Sequence, residues 1–159
     1  MRSVKLVFTV AMLSLATAAA AQAEGWGPAT PNFNLEAILR PAAGGPEGGF
    51  GHVKFRQPKD DAKIIYLDTW VRDLARDHTY FLQRAVDTNV NDDCIAAVGW
   101  LTLGEIATDD NGTGRAALTR NVSMIPTGTE FDIHFRIVAD PAGSTTVLES
   151  ACYQFAVSL

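Results

Sequence analysis

The stretch that decides the fold is Glu130 to Ala139, E-F-D-I-H-F-R-I-V-A. Phe131, Ile133, Phe135 and Ile137 alternate with Asp132, His134, Arg136 and Val138. An extended chain points successive side chains to opposite faces, so this period of two predicts a strand with one apolar face. The same rhythm recurs upstream. Leu35, Ala37 and Leu39 alternate with Glu36, Ile38 and Arg40, and Val53 and Phe55 alternate with His52, Lys54 and Arg56. Ile64 to Val71 is apolar on both faces, which predicts a central strand or one with an apolar patch on its second face. Thr79 to Val86, Ala96 to Leu103 and Gly114 to Asn121 add three more, and Thr146 to Val157 reads as one last strand. The stretches P-A-A-G-G-P-E-G-G, Pro58-Lys59-Asp60-Asp61 and D-D-N-G-T-G are turn formers. Arg72 to His78 reads as a polar connection or a short turn of helix. About eight strands with a turn every ten or so residues, and no sustained helical stripe, predict an all-β fold. The expected architecture is an antiparallel Greek-key β-sandwich or barrel.

The ends of the chain set its compartment. It opens M-R-S-V-K, runs apolar from Leu6 to Ala21 and closes on Ala21-Gln22-Ala23. That is the pattern of a secretory signal peptide over 1–23, cut after Ala23. The run is short for a membrane span and has no positive stop beyond it. The expected product is soluble and secreted or periplasmic, with no membrane span after cleavage. Residues 24–33 read as an irregular Gly/Pro-rich arm and 34–159 as a single domain. Removing 23 of 159 residues leaves 136, enough for a sizeable core. Losing Arg2 and Lys5 takes the formal charge from −5 to −7, and an acidic chain without a basic cluster argues against nucleic-acid partners. The two cysteines, Cys94 and Cys152, predict one disulfide in an oxidising compartment. A metal or redox pair is the alternative, and neither a C-x-x-C nor a nearby histidine supports it.

The order of features is itself informative. A strand leads into a Gly-rich break, then G-H-V-K-F-R-Q, then a long strand ending W-V-R-D-L-A-R-D, then H-T-Y-F-L-Q-R. A cysteine follows in a loop, and a second lies seven residues from the C-terminus. This layout resembles the copper/zinc superoxide dismutase-like β-barrel. In that family a G-L-x-x-G-x-H-G-F-H-V-H segment supplies copper ligands, and a loop cysteine bonds one in the last strand. Cys94 and Cys152 stand where those two cysteines would be. With Phe81 on the segment's phenylalanine, its two histidines fall on Leu82 and Arg84, and downstream only His134 remains. The resemblance implies the fold and speaks against dismutation.

Weighing the chemistries leaves binding ahead of catalysis. His52, His78 and His134 are not spaced as metal-binding pairs, and no G-x-S-x-G elbow is present. Asp60-Asp61, Asp92-Asp93 and Asp109-Asp110 are paired carboxylates, but adjacent aspartates in Asn/Gly-rich turns fit turn formation better than an acid–base pair. Calcium is the stronger alternative for these loops. Asp87, Asn89, Asp92 and Asp93, joined by Asp109 and Asp110, offer the several oxygens a hard cation wants. D-T-N-V-N-D-D-C nevertheless fails as an EF-hand, with Asp92 where glycine is required and Val98 where a glutamate is required. A second candidate is a surface made by Tyr66 and Trp70 with Lys54 and Arg56, unless the N-terminal arm covers it with Trp26 or Phe33. The expectation is an exported, non-catalytic binding or structural module with a protein or small-molecule partner. No cofactor is expected beyond calcium, the alternative reading.

Overall fold

The computed structural model describes residues 34–58 and 62–157. The expected signal peptide, the N-terminal arm and most of the turn at Pro58 to Asp61 lie outside these residues. The described chain forms nine strands and no helix. They are β1 (Asn34–Pro41), β2 (Phe50–Arg56), β3 (Ile64–Arg72), β4 (Thr79–Asp87), β5 (Val98–Ala107), β6 (Gly114–Asn121), β7 (Glu130–Val138), β8 (Thr146–Ser150) and β9 (Tyr153–Ala156).

All pairings are antiparallel, in the order β5-β4-β7-β8-β1-β2-β3-β6, with β9 also on β7. The sheet curls until β5 meets β6, where the single bridge Thr108↔Gly114 and side-chain packing nearly close it into a barrel. Gly104 on β5 makes this approach possible. A Cβ there would lie 2.5 Å from Cδ2 of Leu118 on β6. β7 lies beside β4 while β4, β5 and β6 follow one another around the wall, which is a Greek-key arrangement.

The alternation read from β7 holds in three dimensions. Phe131, Ile133, Phe135 and Ile137 are buried inside the barrel, while His134 and Arg136 are half-buried on its outer face. Leu35, Ala37, Leu39, Val53, Phe55, Ile65, Leu67 and Val71 fill the interior from β1, β2 and β3. One end of the barrel is solidly packed, around Leu39, Val71, Leu82, Ile106, Ile137 and Leu148. Here Thr108 Oγ1 accepts the His78 amide at 3.1 Å and donates to the Ala75 carbonyl at 2.7 Å, so the polar connection after β3 is fastened down without a helix. The other end is formed by the start of β1, the 88–97 and 122–129 loops, and Val157.

The last strand differs from its expectation. Thr146 to Val157 is two strands, broken at Ala151-Cys152. Ser150 Oγ accepts the Phe135 amide at 3.0 Å and donates to the Ala151 carbonyl at 2.6 Å, so a side chain takes over where the ladder fails. The chain then re-pairs with β7 alone, and the Tyr153 hydroxyl accepts the Ile38 amide of β1 at 3.0 Å. Cys152 sits in the break and is bonded to Cys94, with Cα atoms 5.6 Å apart.

Candidate functional site

At the less packed end the interior stays partly empty. A cavity of about 200 Å³ opens between β2, β3, β4, β5, β6 and β7 and the 122–129 loop. Phe55, Leu67, Val86, Leu103, Ile133 and Phe135 give it apolar walls. Its floor is an aromatic cluster in which Phe55 meets Phe155 edge-on at 4.5 Å and Phe135 at 6.1 Å. Two bulges in the β4–β5 ladder shape the wall, and within them Leu103 lines the cavity while Trp100 lies on the outer face.

Two arginines also line the cavity. Arg84 is paired opposite Phe135 and Arg120 opposite Ile65, so both occupy positions whose neighbours face inward. Arg84 is half-buried and Arg120 lies at the exposed rim. Among the described lining residues there is no carboxylate, histidine, serine or cysteine. Burial, and then the like charge of Arg120, hold the Arg84 guanidinium below the ordinary arginine range. Three other arginines have acceptors. Arg56 meets Asp68 at 2.6 Å, Arg72 meets Asp73 at 2.6 Å, and Arg136 donates to Gln83 Oε1 at 2.9 Å beneath the Trp100 ring. Arg84 and Arg120 have no such partner among the described residues.

The aromatic and basic residues singled out on β2 and β3 do share the outer face of one wall. Arg56 pairs opposite Tyr66, Lys54 opposite Asp68, and His52 opposite Trp70. Tyr66 is 38 % exposed, but Trp70 is half-buried against Phe50, with ring centroids 5.7 Å apart. Asp68 stands between the two rings on this face and is held by Arg56. Glu36 lies 3.8 Å from Lys54 and 3.5 Å from His52. The face is a ladder of opposite charges with aromatics spaced along it, rather than a continuous apolar patch.

The acidic loops are corrected more sharply. They lie at opposite ends of β5, whose ten residues span about 33 Å. Asp87, Asn89, Asp92 and Asp93 therefore cannot share one ion with Asp109 and Asp110. The first loop is fastened to the barrel wall by its carboxylates. Asp87 is 3 % exposed and accepts the Asn89 amide at 2.8 Å and the Ala96 amide at 3.0 Å. Asp132, fully buried on β7 beside it, accepts the Asn91 and Asp92 amides at 2.9 and 2.7 Å. Asp93 accepts the Ile95 amide and the Asn91 side chain, while Asp109 accepts the Asn111 and Thr113 amides. Among the described residues no three His, Cys, Asp or Glu side chains gather in a metal-binding group.

The histidines are dispersed. His52 is on the charged face, His78 packs edge-on against Tyr80 at 4.6 Å, and His134 lies against Trp100 at 5.4 Å. No protein-family model matches the chain, and no curated protein matches it. Arg84 and Arg120 are not among the residues expected from sequence, although the sequence carries a signal for both. Arg84 falls in phase with Leu82 and Val86, and Arg120 with Leu118 and Val122, so each places a cation where the period calls for an apolar side chain.

Proposed function

We propose that this chain is an exported, non-catalytic binding module that takes a small apolar body into the open end of its barrel. Export rests on the leader-like 1–23 segment and on the disulfide. The observation that carries the binding reading is the apolar cavity of about 200 Å³ in a barrel packed solid at its other end. Protein interiors leave few voids larger than a water molecule. An apolar cavity of about 150 Å³ already admits benzene. Among the described lining residues the hydroxyls are those of Thr88 and Thr129, and there is no carboxylate, histidine, serine or cysteine, which supports reading the cavity as a binding site.

The test is direct titration of the full chain with benzene and with hexanol, followed by backbone-amide NMR and by thermal melting. Shifts centred on Phe55, Val86, Leu103 and Phe135 with a raised melting temperature are expected. Leu103→Trp, which fills the cavity, should remove both effects while the protein remains folded. If neither ligand moves these amides, or if the filled variant binds as well as the parent, the reading fails.

A further inference from the structure

The geometry points to a small amphipathic anion as the ligand: a carboxylate head gripped by Arg84 and Arg120, with a ring-sized or short-chain apolar body in the cavity behind them. This rests on the cavity being a ligand site and adds the chemical class of what enters it.

Charge complementarity carries the argument. The mature chain is acidic overall, yet the only ionisable side chains lining this cavity, among the described residues, are two arginines. Burying a cation without an acceptor is costly, and folded proteins ordinarily supply a partner. Arg136, half-buried like Arg84, is given such an acceptor in Gln83 Oε1 at 2.9 Å. Arg84 on β4 and Arg120 on β6 instead line the same cavity close enough for their like charges to act on each other, Arg84 half-buried against its apolar walls and Arg120 at the exposed rim. A planar guanidinium matches a carboxylate with two parallel donors, which a lysine would not do.

The placement also orders the ligand. Arg120 is at the rim and Arg84 deeper, with Phe55, Ile65 and Phe135 behind them. The head therefore stays near water while the body lies against the aromatic floor. The Thr88 hydroxyl on the same lining offers a further donor to an anion, whereas that of Thr129 is already given to the Pro126 carbonyl at 2.6 Å. The volume sets the size: room for one ring or a short chain, well below the lipid scale.

Hexanoate and phenylacetate are the probes, compared with hexanol and hexylammonium by calorimetry on the full disulfide-bonded chain. The carboxylates should bind about tenfold to a hundredfold more tightly than hexanol, the worth of one or two charge-assisted hydrogen bonds. Hexylammonium should bind weakest. In Arg84→Met and Arg120→Met the hexanoate preference should collapse toward the hexanol affinity. The ligand-free Arg84→Met protein should melt at or above the parent temperature, which guards against reading misfolding as lost affinity. Equal affinity for hexanoate and hexanol would overturn the anion assignment and leave the apolar site standing. Failure of every probe, hexanol and benzene included, would instead remove the site itself. A preference that persists in both methionine variants also overturns the assignment.

Discussion

Removing the Cys94–Cys152 bridge, by reduction or as Cys94→Ala/Cys152→Ala, separates two ways of holding the 88–97 loop. The bridge spans 58 residues of sequence. In the chain-entropy account a closed loop of that length stabilises the fold by about 4 kcal/mol, by restricting the unfolded chain. At roughly 3–5 °C per kcal/mol for a domain of this size, the melting temperature should fall by about 15 °C. The loop itself should stay in place. Four backbone amides still donate to Asp87 and Asp132, and both carboxylates belong to the β4–β7 ladder, which the bridge does not touch. Urea unfolding followed by tryptophan fluorescence measures the first claim, and amide hydrogen exchange at Asn91, Asp92 and Ala96 measures the second. A lower midpoint with a slightly steeper denaturant dependence is expected, because the unlinked unfolded chain exposes more surface. A stability change under about 1 kcal/mol would refute the entropic account. Loss of protection at those three amides under native conditions would refute the division of labour, and make the bridge the element that holds the loop.

Three further outcomes follow from the same wall of the barrel. Asp132→Ala should cost about 2 kcal/mol by thermal melting, since two amides lose a charged acceptor, and Asp132→Asn should cost less because one acceptor oxygen remains. Burial, the largest influence, lowers the His134 pKa, assisted by Arg136 and opposed by Glu149 and by the Ser150 backbone. The unfolded chain then takes up this proton first, so stability is full above about pH 6.5 and falls as the pH drops from there through the lowered folded value. His134→Gln should flatten that slope, and an unchanged slope would show that another group sets it. Calcium and chelator should both leave the melting curve of the full chain unmoved, because the Asp87, Asp93 and Asp109 carboxylates already accept amides; a rise with calcium would reopen the metal reading.

The architecture was legible wherever one face of a strand is buried. β7, β2 and β1 carry the period of two because their outer faces meet solvent or charged neighbours, and β6 was bounded at both ends by its flanking turn residues. Two boundaries were hidden for physical reasons. β5 runs through Gly104 to Ala107 because Leu118 packs across the missing side chain, a tertiary compensation that no local rule supplies. The break before β9 lacks glycine and proline, and is made by the Ser150 hydroxyl and the cysteine bridge. Within the acidic stretch, composition pointed correctly to a turn. Its anchoring partner Asp132 lies 40 residues downstream of Asp92, so the burial of these carboxylates belongs to the fold. Arg84 and Arg120 were visible as breaches of period, but only the closing of the barrel reveals that both breaches meet in one space.

The meeting of β5 and β6 has a consequence for association between molecules. Among the described residues the two strands share one bridge, at Thr108 and Gly114, so most of each facing edge has no ladder partner. Such edges are templates on which a foreign extended segment can be added, the usual route to strand swapping and fibrils. This chain blunts them by irregularity and repulsion. β5 is kinked by two bulges and Gly99 is left-handed, while β6 carries Arg115 and Arg120. Neutralising those arginines should therefore do more than alter affinity: it should lower the concentration at which the protein self-associates.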